Sequence, residues 1–148
     1  MTKVKFAGYY AATKKEKRLV DFVNTTSMKF ISHCCGMEEI LLDSFYKIGI
    51  RRFDPCQPCN NLKKMKERYP DIALIGGLDL QGCVDLSDVT EDELRQEVRR
   101  CIDEYGPLGG YTIYGCSVSM YDPSAFAPGK KMGIICGEAI SYAKSKIK

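Results

Sequence analysis

The sequence predicts an α/β protein built from parallel strand–helix units. Short apolar segments with strand character alternate with segments of helical periodicity along the 148 residues. Gly or Pro residues separate many of these segments. Strands separated by helices are typical of parallel sheets. We count four such units after a leading helix, and no low-complexity segment or linker divides them. We therefore predict a single domain over residues 1–148.

The leading helix and the first unit occupy the first third of the chain. Residues 14–23 combine charged side chains with a cluster of apolar ones, which predicts a helix. Residues 28–32 form a short apolar-leaning strand, followed directly by His33-Cys34-Cys35-Gly36. Apolar side chains recur at helical spacing over 38–48, and Gly49 is a typical residue after a helix end.

The second unit and the third strand follow. Residues 50–53 form a brief strand that ends at Asp54-Pro55, and residues 61–69 form a helix with Pro70 beyond its end. Ile72-Ala73-Leu74-Ile75 is the clearest strand, because it is apolar throughout. Such a strand is typically buried on both faces of a parallel sheet.

The last part of the chain completes the third unit and adds a fourth. A capping box opens a helix at Thr90, and this helix runs to about Tyr105. Residues 111–114 form the fourth strand, residues 119–131 form a long loop, and residues 133–146 form the final helix.

Composition excludes several classes of protein. Lys and Arg number 22 against 19 acidic residues, and a net charge of +3 is too small to indicate a nucleic-acid partner. No apolar run approaches the roughly 20 residues needed to span a bilayer, and we expect no secretory signal, because charged residues return from Lys14 onward. We expect a cytoplasmic protein whose eight cysteines stay reduced, so that some of them are free to bind metal. The chain is shorter than the roughly 200 residues at which complete eight-unit β/α barrels begin.

Polar or reactive residues follow each predicted strand, and the carboxyl ends of parallel strands are where sites form. His33 and Cys35 are two residues apart, so on an extended segment they project to the same side. An imidazole and a thiolate on one face suit zinc, and Cys116 could bring a second thiolate. Three protein ligands and one exchangeable position are typical of catalytic zinc. The alternative is that these cysteines are small buried hydrophobes and His33 is a core histidine.

Two aspartates and a Cys-x-x-Cys motif are further candidates. Asp54 and Asp79, after the second and third strands, could orient a polar substrate or act as acid and base. Equally, Asp54 could only begin a turn and Asp79 could only cap a loop. Cys56 and Cys59 could form a redox dithiol, half a zinc site, or a tight turn at Pro58, and their role stays open.

Basic residues in two helices are interpreted as solvated helix faces. They are Lys63, Lys64, Lys66 and Arg68 in one helix and Arg95, Arg99 and Arg100 in another.

Several of these segments, taken together and in order, resemble the C-terminal half of the uroporphyrinogen decarboxylase superfamily. They are His33-Cys34-Cys35-Gly36, Asp54-Pro55 with Gln57, 61–66, Gly76-Gly77-Leu78-Asp79, 91–103 and Gly109-Gly110-Tyr111. The resemblance covers about residues 14–147. The superfamily also holds zinc-dependent methyltransferases, which move a methyl group from a corrinoid to a thiol. Those members bind zinc through a His-x-Cys pair and a distant Cys, a pattern matched by His33, Cys35 and Cys116.

The resemblance implies a fold equivalent to the C-terminal half of a TIM barrel, with a leading helix. A half barrel has two open sheet edges and an exposed core face, which are liabilities for a protein on its own. The expected partner is therefore a second half-barrel, supplied either by another copy of the chain or by a separate chain. Otherwise the chain is a truncated remnant.

The resemblance also implies the function. The first expectation is a partial zinc-dependent methyltransferase, with a corrinoid methyl donor and a corrinoid protein or a small thiol as partner. A second is a carboxy-lyase of the uroporphyrinogen decarboxylase type. Such members need no metal, and their key acidic and basic residues lie mostly in the missing N-terminal half. A third is a non-catalytic fragment or a subunit that completes a barrel.

Overall fold

The computed structural model of the chain describes residues 7–114, 127 and 129–147, with side chains from residue 14 onward. Four parallel strands form one sheet, namely β1 Ser32–His33, β2 Arg52–Cys56, β3 Ala73–Gly77 and β4 Tyr111–Tyr114. The helices are α1 Ala7–Val23, α2 Leu42–Ile48, α3 Leu62–Arg68, α4 Glu91–Tyr105 and α5 Lys131–Lys146. The predicted α/β fold with four strand–helix units is confirmed.

The strands lie in the sheet in the same order as in the sequence, β1-β2-β3-β4. Right-handed crossovers between successive parallel strands place their helices on a single face of such a sheet. A doubly wound sheet instead reverses its strand order and carries helices on both faces. The sequential order is therefore that of four consecutive units of a β/α barrel.

Burial along the strands distinguishes the two faces of the sheet. Phe53 and Leu74 are paired in register and are 0% and 1% exposed, as befits the helix-covered face. On the opposite face, Thr112 and Tyr114 are exposed, and Ile75, which pairs with Thr112, is only half-buried. Within the described part of the chain, the second face therefore has no comparable cover.

The core lies between the sheet and its helices, and α4 contributes the buried side chains of Leu94, Val98 and Cys101. The predicted capping box is present, because the Thr90 hydroxyl accepts from the Glu93 N–H while the Glu93 carboxylate accepts from the Thr90 N–H. This reciprocal pair fixes the start of α4 and hence its orientation on the sheet.

The first two strands differ from their predicted bounds. Strand β1 is confined to Ser32–His33, because it lies at the sheet edge and pairs with β2 at only two positions. Residues 28–31 lie outside it, although we predicted strand there. Strand β2 continues through Asp54 to Cys56, with an irregular register after Phe53 and a cis Asp54–Pro55 bond.

Other elements also differ from prediction, and helix α1 begins at Ala7, seven residues before its predicted start. Strand β3 extends through Gly77, where β4 still pairs with it. The predicted helix 38–48 opens as a 3-10 turn, Glu39–Leu41, before α2 begins at Leu42. Helix α5 begins at Lys131, two residues before the predicted start.

The prediction of fully solvated basic faces is wrong at several residues. Lys66 is buried, its ammonium donates to the Ile72 carbonyl, and burial lowers its pKa. Arg95 and Arg99 bind the buried Glu138 carboxylate of α5, at 2.7 and 2.6 Å. Arg95 and Arg99, which we predicted to face solvent, therefore join α4 to α5.

No helix in the described part of the chain has the length and apolar character needed to cross a membrane.

Candidate functional site

The ends of the first two strands bring His33 and Asp54 together. They are register partners across β1 and β2, so their side chains project from adjacent positions on the same face. His33 Nδ1 lies 2.8 Å from Asp54 Oδ2. A carboxylate at this distance accepts a hydrogen bond from Nδ1–H, and in that neutral tautomer of the imidazole Nε2 keeps its lone pair for binding.

Cys35 lies on the other side of the same imidazole. Its Sγ is 3.6 Å from His33 Nε2. The imidazole is thus placed between a carboxylate at Nδ1 and a thiol at Nε2. The predicted convergence of His33 and Cys35 on one face is present in the structure.

The loop that carries Cys35 is held by the segment after β2. Asn60 donates to the Gly36 carbonyl at 2.8 Å and accepts from the Glu39 N–H at 2.9 Å. The Gly36 N–H donates to the Gln57 side chain. Asn60 is only 4% exposed, so these hydrogen bonds are made largely out of water. These contacts fix the position of the Cys35 backbone relative to β2.

The separation of the His33 and Cys35 donor atoms is that of a thiol–imidazole hydrogen bond, and it also fits a shared zinc ion. A nitrogen bound at about 2.1 Å and a sulfur bound at about 2.3 Å in tetrahedral geometry stand about 3.6 Å apart. This matches the distance between Nε2 and Sγ. A carboxylate on the other ring nitrogen is the usual support of a zinc-bound histidine, and Asp54 occupies that place.

The third predicted ligand, Cys116, lies outside the described residues. Tyr114, two positions earlier in the sequence, ends β4 and lines the same cleft as His33 and Cys35. In the described ranges, no three or more metal-ligating side chains come together. The described chain therefore provides two candidate zinc ligands and their supporting carboxylate.

Two clefts lie over the carboxyl ends of β2 and β3. One, of about 230 Å³, is lined by His33 and Cys35. The other, of about 430 Å³, is lined by Cys59 and Asp79. The two clefts share Gln57, Leu78 and Leu80 as lining residues, so a ligand in the larger cleft lies next to the imidazole–thiol pair.

Asp79 has a structural role in addition to its place in the larger cleft. Its Oδ1 accepts from the Gly82 N–H at 2.8 Å and caps the helical turn Leu80–Val84. Its own N–H donates to Glu97 at 2.7 Å. This geometry favours the loop-capping alternative for Asp79, whereas its role as an acid or base stays a prediction.

The end of β3 is braced by several side chains. Cys101 Sγ and Arg100 both donate to the Gly77 carbonyl, and the Tyr111 hydroxyl donates to the Gly76 carbonyl at 2.7 Å. A Cβ on Gly76 would stand 2.9 Å from the Cys56 nitrogen. Glycine at this position therefore permits the close approach of β2 and β3 beneath the clefts.

The two cysteines of the Cys-x-x-Cys motif have different surroundings. Cys56 is fully buried, its thiol donates to the Phe53 carbonyl at 3.3 Å, and burial raises its pKa. Cys59 is exposed and contacts the Asn60 amide. The seven cysteines in the described ranges are free thiols, and nothing in the structure assigns these two a chemical role.

Sequence reasoning missed Glu38, which is 1% exposed. Burial raises the pKa of its carboxyl group to about 8, and the neighbouring Asp54 carboxylate adds to the rise. No sequence signal marks it, because an acidic residue near a helix start ordinarily indicates a favourable interaction with the helix dipole.

Comparison with known proteins returned no match to a family model, to a curated protein or to a solved structure.

Proposed function

We propose that this chain is part of a zinc-dependent methyltransferase, which moves a methyl group from a corrinoid to a thiol. The observation that carries the proposal is the separation of 3.6 Å between His33 Nε2 and Cys35 Sγ, with Asp54 on the opposite ring nitrogen. The corrinoid donor is inferred from the resemblance of the sequence to the uroporphyrinogen decarboxylase superfamily.

The residues have distinct roles in this proposal. His33 Nε2, Cys35 Sγ and the Cys116 thiolate hold zinc, and Asp54 orients the imidazole through Nδ1. Bound zinc would keep the acceptor thiol as a thiolate near neutral pH. The acceptor occupies the adjoining cleft between Gln57 and Asp79. A corrinoid donor would supply the methyl group, cobalt would keep the electron pair of the broken carbon–cobalt bond, and the thiolate would supply the pair for the new carbon–sulfur bond.

The alternative, a decarboxylase of the uroporphyrinogen type, has less support. Its substrate carries several carboxylates, and arginine or lysine side chains are the usual partners of such groups. The described lining of the two clefts includes neither Lys nor Arg. The cleft next to His33 instead combines apolar side chains with the thiols of Cys35 and Cys56.

We further propose that a second half-barrel completes the site. The open sheet face described above would form part of the barrel interior. Large apolar side chains are also exposed elsewhere, namely Phe22 of α1 at 64%, Ile31 beside β1 at 49% and Ile140 of α5 at 59%. The partner is a second copy or a separate chain, in the cytoplasm, where the thiols stay reduced. A chain that binds no metal would instead be the non-catalytic subunit of such a barrel.

Metal analysis of the purified protein tests the proposal. We expect about one zinc per copy of this chain, and strongly reduced zinc after His33→Ala, Cys35→Ser or Cys116→Ser. Cys136→Ser is the matched control, because Cys136 is an exposed thiol on α5. Zinc retained by Cys35→Ser, or absent from the wild-type protein, would remove the basis of the proposal.

Activity is tested on the completed barrel. Its mass in solution establishes whether two copies associate, and demethylation of methylcobalamin in the presence of a small thiol measures the reaction. We expect demethylation that requires zinc and Cys35. Decarboxylation of uroporphyrinogen that persists after chelation would favour the alternative. The absence of both reactions in a zinc-loaded complete barrel would contradict the proposed reaction.

A further inference from the structure

The larger of the two clefts carries one carboxylate and no cationic side chain in its described lining. The carboxylate is that of Asp79, and none of the lining residues is a lysine or an arginine. Gln57 and Gln81 add neutral amides, and the rest of the lining consists of apolar residues, glycines and the Cys59 thiol. A ligand in this cleft therefore meets negative charge, and no positive charge, from its described walls.

The Asp79 carboxylate is held in place but is not paired with a cation. Its Oδ1 accepts from the Gly82 N–H at 2.8 Å, and the Asp79 N–H donates to Glu97 at 2.7 Å. Arg100, which also contacts Glu97, binds the carboxylates of Glu97 and Glu104 at 2.6 and 2.8 Å. Asp79 itself forms no ion pair within the described part of the chain. A half-buried carboxylate fixed in this way can bind a cation without rearrangement of the loop.

We propose that this cleft takes an acceptor thiol that also carries a protonated amine, and that Asp79 binds the ammonium group. The thiol end of this ligand rests on the proposed function, whereas the cation site rests on the cleft alone. The volume of about 430 Å³ is that of a small-molecule site. The cleft shares three lining residues with the cleft beside His33 and Cys35, so one ligand can extend from Asp79 towards the imidazole–thiol pair.

The charge of the cleft distinguishes aminothiols from other small thiols. An ammonium group donates hydrogen bonds and carries a positive charge, so a carboxylate is a strong partner for it. A thiol with a carboxylate would instead bring a second negative charge to Asp79, with no lysine or arginine in the described lining to offset it. A thiol with a hydroxyl group would lack the ion pair but would meet no repulsion. The affinity should therefore decrease from amine to alcohol to carboxylate.

Binding of three small thioethers to the metal-free chain tests the cation site without any reaction. The probes are methylthioethylamine, methylthioethanol and methylthiopropionate, which differ chiefly in charge. The NMR shift of the Gly82 amide follows binding, because this N–H donates to Asp79. We expect the amine to bind about tenfold or more tighter than the alcohol, and the propionate to bind more weakly than either. The advantage of the amine should shrink as the salt concentration rises.

Asp79→Asn separates the charge at this position from its structural role. Asparagine keeps an oxygen that accepts from the Gly82 N–H, so the cap of the turn is retained. We expect this variant to bind the amine and the alcohol about equally. Asp88→Asn is the matched control and should keep the wild-type preference, because Asp88 is exposed and lies outside the described lining of the cleft.

Several results of this titration would overturn the inference. One is a wild-type protein that binds none of the three probes or does not prefer the amine. Another is a preference for the amine that survives in folded Asp79→Asn. If Asp79→Asn does not fold, the order of the three affinities in the wild type decides alone.

Methyl transfer in the zinc-loaded, completed barrel then tests whether the cation site serves the acceptor. With methylcobalamin as donor, the ratio of kcat/KM for cysteamine to that for mercaptopropionate should fall about tenfold or more in Asp79→Asn and stay unchanged in Asp88→Asn. Transfer with an unchanged ratio in Asp79→Asn, as expected if Asp79 acted only as an acid or base, would refute this inference and leave the proposed function standing. Charge-selective binding in a protein without methyl transfer would support the cation site and contradict the proposed function.

Discussion

The buried carboxyl group of Glu38 makes the stability of the fold depend on pH in a defined direction. Folding raises the pKa of this carboxyl group from 4.5 to about 8. Below pH 4.5 both the folded and the unfolded states carry the proton. Between 4.5 and about 8 the folded state keeps a proton that the unfolded state has lost, so the free energy of unfolding falls as the pH rises. Above about 8 both states are ionised and the contribution is constant.

The size of this effect follows from the same two values. Each pH unit between the two pKa values lowers the free energy of unfolding by about 1.4 kcal/mol, so the whole interval lowers it by about 4 to 5 kcal/mol. Glu38→Gln cannot titrate and should lack this slope. Urea unfolding of both proteins at several pH values between 5 and 9 measures it, with Glu67→Gln as the control that keeps the wild-type slope. Stability curves of wild type and Glu38→Gln that run parallel over this range would refute the reasoning.

Three other changes test contacts that position the site and the last helix. Glu138→Gln should lower the free energy of unfolding by about 2 kcal/mol, because the carboxylate that binds Arg95 and Arg99 and so joins α4 to α5 is lost. An unchanged free energy in urea unfolding would contradict this. Gly76→Ala should lower the stability of the fold more than Gly129→Ala does, because both glycines have positive φ but only a Cβ at Gly76 would meet backbone atoms. Equal decreases in thermal stability would disprove the close approach of β2 and β3. Asn60→Ala removes no zinc ligand but removes the hydrogen bonds that hold the loop carrying Cys35. Calorimetric titration should therefore show a zinc affinity about tenfold weaker than that of wild type. An unchanged affinity would show that Asn60 does not position this loop.

The order of elements could be predicted from the sequence because the apolar segments and helix caps are local signals. The Thr90 capping box and the apolar run 72–75 gave the start of α4 and most of β3. The predicted ends of β1 and β2 were less accurate, because hydrogen bonding to neighbouring strands, and not the local sequence, decides where these strands end. Strand β1 is short because the edge offers one neighbour, and β2 extends past Pro55, a residue that ordinarily indicates a strand end.

The candidate site was predictable only in part. The two-residue spacing of His33 and Cys35 indicated a shared face, and the structure brings their donor atoms together. The partnership of Asp54 with His33 depends on the register between β1 and β2, which no local pattern specifies. Glu38 was invisible to sequence reasoning, because its burial results from packing of the segment after Cys35 against β2. Lys66 was also misassigned, because its burial depends on the contact between its ammonium on α3 and the Ile72 carbonyl.

X-ray absorption at the zinc edge of the zinc-loaded protein tests the central claim most directly. The account predicts two sulfur neighbours at about 2.3 Å and a histidine nitrogen at about 2.0 to 2.1 Å, with one sulfur lost in Cys35→Ser and the nitrogen lost in His33→Ala. A zinc ion surrounded only by oxygen and nitrogen, or a spectrum unchanged by both substitutions, would contradict it.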